Sequence, residues 1–164
     1  MIGVAVAGGF RGPSHALYGV GSGVAGAVNP VGRVWGAGST ALCTKGSSPV
    51  VLTRITPLVV EGQVRFDHVV VRHVGLTDEI TLDPGTPVGS HPVTGYVIHS
   101  PSPCAWPGPA RMNEVVVLAT RTRPYGGSIR GLRVEYRSGG SSGSYLIPSY
   151  FARFCGPYGG CGGP

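Results

Sequence analysis

Residues 130–155 read RGLRVEYRSGGSSGSYLIPSYFARFC, and this stretch decides the fold. Leu132, Val134 and Tyr136 alternate with Arg133, Glu135 and Arg137. That period of two puts an apolar row on one face of a strand and a charged row on the other. SGGSSGS at 138–144 supplies turn residues, and a second apolar-aromatic run follows to Cys155. The stretch predicts a β-hairpin with one buried face, and so an antiparallel sheet packed against a second layer.

Outward from the hairpin the pattern recurs. Candidate strands are Val34–Trp35 with Ala41–Thr44, Val50–Pro57, Val64–Val74, Glu79–Leu82, Tyr96–His99, Glu114–Thr120, Leu132–Arg137 and Tyr145–Ile147. Breakers separate them: KGSSP at 45–49, Glu61-Gly62, DPGTP at 83–87, PSPCAWPGP at 101–109 and RPYGGS at 123–128. VVVL at 115–118 has no polar alternation, as a strand covered on both faces would read. Short strands at regular spacing with no amphipathic helix predict an all-β fold, an antiparallel immunoglobulin-like β-sandwich over residues 33–155. A barrel or jelly roll is the alternative closure.

Residues 1–32 form a glycine-rich arm in this reading, flexible or ordered by a partner. A helix through 16–28 would carry Gly19, Gly21, Gly23 and Gly26, at about 1 kcal/mol each. Ordering such an arm costs about 1–2 kcal/mol per residue. The expectation is therefore strand addition to another protomer of a homo-oligomer, or a disordered tail on a monomer. Residues 156–164 are a Gly/Pro/Cys-rich tail.

The chain has 164 residues, 12% of them charged, and a net charge of +6. Lys45 is the single lysine, so the basic excess is arginine. No dense basic run is present, which argues against nucleic acid as a partner. Four cysteines, Cys43, Cys104, Cys155 and Cys161, occur without a CxxC pair or zinc-like spacing. They predict two disulfides, Cys43–Cys104 and Cys155–Cys161, and an extracellular or cell-surface setting. MIGVAVAGG at the start is too short to span a bilayer; it could be the stub of a signal or anchor segment, or a mature terminus.

No catalytic constellation stands out. GSGVAG at 21–26 matches a dinucleotide fingerprint only by glycine abundance, since the first acidic residue is Glu61. GGSSG at 139–143 lies between two strands, not at a strand-to-helix elbow. His68 and His73 fall on opposite faces of one strand. Asp78, Glu79 and Asp83 are too few for calcium. Neither a metal nor a cofactor is expected.

Two surface features remain. Arg121, Arg123, Arg130, Arg133 and Arg137 sit on adjacent hairpin strands and their loop, a candidate stripe for a cell-wall or membrane-surface anion. Tyr145, Tyr150, Phe151, Phe154 and Tyr158 make the end of the chain aromatic, part core and part candidate interface.

ALC at 41–43 before a valine-rich strand, Cys104 before VVVL, and GLRVEYRSGG at 131–140 leading through Pro148 to Cys155 resemble immunoglobulin-like ectodomains of actinobacterial membrane-anchored or secreted proteins. The resemblance covers about residues 33–155. It implies a cell-surface sandwich and carries over no catalytic residue. The expected function is a non-enzymatic extracellular or structural module acting through protein–protein contacts, self-association among them. The alternative is a small secreted hydrolase with loop-borne His91, His99 and Asp83.

Overall fold

The structure is a computed structural model that describes residues 16–20, 24–75, 82–99 and 111–156. Its elements are all strands: β1 (Leu17–Val20), β2 (Val24–Val28), β3 (Val34–Thr44), β4 (Val50–Gly62), β5 (Val64–Gly75), β6 (Leu82–Pro84), β7 (Ser90–Pro92), β8 (Val97–Ile98), β9 (Arg111–Arg121), β10 (Gly127–Ser138) and β11 (Ser141–Cys155). They form two sheets. The first runs β1-β3-β9-β5-β7, with β6 also pairing β3; the second runs β2-β11-β10-β4-β8. Every pairing is antiparallel except β2 against β11, which is parallel. The all-β sandwich expected from the sequence is what the chain forms.

The decisive hairpin folds as its alternation requires. Leu132, Val134 and Tyr136 are buried while Arg133 and Arg137 are exposed. The turn is tighter than SGGSSGS suggested. Ser138 pairs Ser141, so Gly139 and Gly140 alone make it, at φ 56° and 82°. Two consecutive positive φ values are what a two-residue type I′ hairpin needs. The serines beyond it belong to β11.

The core lies between the sheets. β9, central in the first sheet, has Val115, Val116, Val117, Leu118 and Ala119 fully buried. Its Val115, Val117 and Ala119 join Ile129, Leu132, Val134, Tyr150 and Phe154 of the second sheet in one cluster. On its other face Val116 and Leu118 form a second, smaller cluster with Val70. The unbroken VVVL run is thus covered on both sides, as a central strand's composition demands.

Three expectations are corrected. The boundary at residue 32 moves, because the second half of the arm belongs to the sandwich. β1 pairs β3 and β2 pairs β11, all within one chain; residues 1–15 and 21–23 lie outside the described residues. Glycine makes this entry feasible. A Cβ on Gly19 would come within 2.9 Å of Ile147 Cδ1, so the composition that weakened a helix allows a close approach instead. Second, Arg121 is 2% exposed and leaves the basic stripe. Third, no two Sγ atoms lie at bonding distance among the described residues, and the expected Cys43–Cys104 and Cys155–Cys161 pairs each include a cysteine outside them. Cys43 and Cys155 are therefore not joined to one another, although neither is a free thiol. Cys104 and Cys161 lie outside the described residues, as does Tyr158.

Candidate interaction surface

The outer face of the five-stranded sheet carries the most chemistry. Strand pairing sets its rows. Arg130 lies opposite Val59 on one side and Phe151 on the other; Arg133 lies between Thr56 and Leu146; Glu135 lies between Arg54 and Ser144. At Gly131, φ +60° lets β10 take three steps from Leu132 to Ile129 while both reach the core. The positive φ that only glycine adopts readily is what turns the strand over. Arg130 is consequently exposed beyond this point, as Arg133 is, whereas Ser128 is buried.

Around Phe151 the contacts are specific. The Arg130 guanidinium carbon stands 5.7 Å from the ring centroid and that of Arg153 stands 5.3 Å from it, both within cation–π reach. Arg130 Nη2 also pairs with Glu61 Oε2 at 2.8 Å, with each side chain about half exposed. Apolar side chains border the stack: Val59 is 41% and Leu146 47% exposed. Arg54, Arg133 and Arg137 extend the basic character along the face, against Glu61 and Glu135.

The expected site residues separate accordingly. Of the stripe, Arg130, Arg133 and Arg137 share this face, and Arg123 is exposed in the β9–β10 loop. Arg121 is enclosed instead by backbone. Its Nε donates to Asn29 O at 2.8 Å, Nη2 donates to the same oxygen, and Nη1 donates to Pro124 O at 2.6 Å and Arg123 O at 3.1 Å. Of the aromatic set, Tyr150 and Phe154 are core and Tyr145 packs against it, while Phe151 alone joins the outer stack. Arg54 and Arg153 were missed. The signal for Arg153 was the alternation through Phe151-Ala152-Arg153-Phe154, which puts Phe151 and Arg153 on one side.

A second polar group sits at the other sheet. Tyr96 Oη donates to Asn113 Oδ1 at 3.0 Å and lies 2.9 Å from His73 Nε2. Asn113 Nδ2 donates to Leu42 O at 3.3 Å, which turns Oδ1 toward the phenol. Since that phenol proton goes to Asn113, His73 must present Nε2–H to Tyr96. Burial raises the Tyr96 pKa, so the phenol keeps its proton. The His91 ring lies 5.8 Å from that of Tyr96. The network anchors the β7–β8 turn to the first sheet and places no nucleophile beside a base.

The residues named for a hydrolase are dispersed across pairings. Asp83 pairs Gly36 on β3, His91 pairs Val71 on β5, and His99 follows β8, which pairs β4 in the other sheet. Among the described residues no three His, Cys, Asp or Glu side chains gather in a way that could hold a metal ion.

Comparison with protein families, with curated proteins and with solved structures finds no match to this chain.

Proposed function

We propose that this chain is a non-enzymatic, cell-surface or extracellular binding module that engages a protein partner through the outer face of its five-stranded sheet. The observation that carries the reading is the Arg130–Phe151–Arg153 stack bordered by exposed Val59 and Leu146. Arginine and aromatic side chains dominate the energetics of protein interfaces. A rigid sheet presents them with little ordering left to do. The partner surface that fits is apolar at its centre and acidic at its rim, complementary to Arg54, Arg133 and Arg137.

The immunoglobulin-like form of the sandwich is part of this proposal. In chain order the seven main strands are β1, β3, β4, β5, β9, β10 and β11. Read as A to G, the order β1-β3-β9-β5 becomes A-B-E-D and β4-β10-β11 becomes C-F-G. Sandwiches of that order serve widely as surface recognition modules, which supports the location as well as the role.

The test is differential capture. Immobilised wild-type protein and a Phe151→Ala/Arg130→Glu variant are exposed to an extracellular protein fraction, with Val88→Ser on an exposed loop as control. Proteins retained by wild type and the control but lost from the double variant support the reading. Identical retention by all three baits refutes it.

A further inference from the structure

Beyond the outer face, the second sheet has an unfinished edge. β8 pairs only Val50 and Val51 of β4. The next residues are met by the turn before it: Leu52 N donates to Tyr96 O at 2.8 Å, Gly95 N donates to Leu52 O at 2.9 Å, and Thr94 Oγ1 donates to Thr53 O at 3.2 Å. From Arg54 to Glu61, no described strand lies on that side. This run reads RITPLVVE, and its Leu58, Val59 and Val60 are 42%, 41% and 40% exposed. An open, apolar strand edge is a template for another strand.

We propose that this edge pairs with the same edge of a second copy of the chain, antiparallel about a two-fold axis between Pro57 and Leu58. In that register Arg54 lies opposite the partner's Glu61, Ile55 opposite the partner's Val60, and Thr56 opposite the partner's Val59. Opposed residues of an antiparallel pair must point to the same face. A regular strand would fail this, since each of these pairs is separated by an odd number of residues. The turnover at Leu58, where Gly131 of β10 crosses, removes the conflict. Ile55 and Pro57 pair the core-facing Val134 and Leu132, whereas Val60 pairs core-facing Ile129. Arg54, Thr56, Val59 and Glu61 then share the outer side.

Pro57 fits the same centre. Proline on an edge ordinarily guards against pairing because it brings no N–H. At the axis the ladder is already interrupted by the turnover. Hydrogen bonds form in two flanking blocks, 54–56 against 59–61 of the other copy and the reverse. Arg54 and Glu61 each face an opposite charge within their own chain, Glu135 and Arg130. The Arg130–Glu61 pair is about half exposed, and a carboxylate accepts from two cations. Eight residues a side make a small interface, so dimerisation is weak, in the range of about 10 μM to about 1 mM.

Sedimentation of the full chain across that range tests the proposal, with no other partner needed; it is thus separate from the outer-face reading. Wild type should shift from monomer toward dimer with concentration, and Leu58→Lys should stay monomeric with unchanged circular dichroism. Arg54→Glu and Glu61→Arg should each weaken the dimer about tenfold, from two like-charge pairs per dimer. The double exchange Arg54→Glu/Glu61→Arg should recover it. Recovery identifies the contact between copies, because the double exchange leaves both pairings within the chain repulsive. A wild type that is monomeric at about 1 mM, a dimer indifferent to Leu58→Lys, or a double exchange no better than the singles overturns the proposal.

Discussion

Replacing Arg121 by alanine should damage the fold far more than its place in an arginine-rich surface sequence suggests. The residue is 2% exposed, and its guanidinium donates four hydrogen bonds to three carbonyls, those of Asn29, Arg123 and Pro124. Gly32 N in turn donates to Arg121 O at 2.8 Å. One side chain thus ties the end of β2 to the end of β9 and the loop after it. Hydrogen bonds from a charged donor contribute about 1.5–3 kcal/mol each, and each acceptor left buried and unmet costs about 1–3 kcal/mol. Two terms oppose this. Desolvation of the cation is relieved, and water can enter the vacated space. The net expectation is a loss of about 3–4 kcal/mol. In urea, with a slope of about 1.5–2 kcal/mol per molar for a domain of this size, the midpoint should fall by about 2 M. Arg121→Met, which restores volume without donors, should be nearly as damaging. Amide exchange should show protection lost first at Val24–Val28. A loss under about 1 kcal/mol, or unchanged protection of β2, would refute the reasoning that the cage holds the parallel strand.

Tyr150 Oη donates to Ala37 O at 3.0 Å, and burial together with the charge of Glu114 raises its pKa. Above the ordinary tyrosine range near 10 the unfolded chain releases this proton and the folded chain keeps it, so stability falls with rising pH by up to about 1.4 kcal/mol per unit. Tyr150→Phe should remove that part of the alkaline limb in pH-dependent urea titrations. Arg72 Nε meets Glu114 Oε2 at 2.6 Å, with side chains 18% and 8% exposed. Glu114→Ala strands the cation and should cost about 3 kcal/mol. Thermal unfolding of the double variant with Arg72→Ala should show less than the sum of the single losses. Gly140→Val forces a β-branched residue to positive φ in the hairpin turn and should lower stability by at least about 1–2 kcal/mol in the same assay.

Strands whose apolar and polar residues alternate were legible from sequence, because alternation and burial are the same fact seen twice. Val50–Pro57, Val64–Val74 and Leu132–Arg137 all lie within observed strands. β1 and β2 were not legible, since LYGV and VAGAV contain no polar alternation and sit among glycines. Only the neighbouring surface, Ile147 beneath Gly19 and β11 beside β2, makes strands of them. The outer face was half legible. Arg130, Arg133 and Arg137 follow from the period of two, but the left-handed turn at Gly131 and the irregularity before Phe151 break that period. Arg121 ends a strand as any surface arginine might. Its burial depends on Asn29, 92 residues away, which no local pattern encodes.

The outer-face claim is tested most directly by titrating a partner identified by capture against wild type and Phe151→Ala. Loss of a central aromatic anchor held between two arginines should weaken binding about 10- to 100-fold, while Val88→Ser, altered on an exposed loop, binds as wild type does. Equal affinity of Phe151→Ala and wild type would contradict the account.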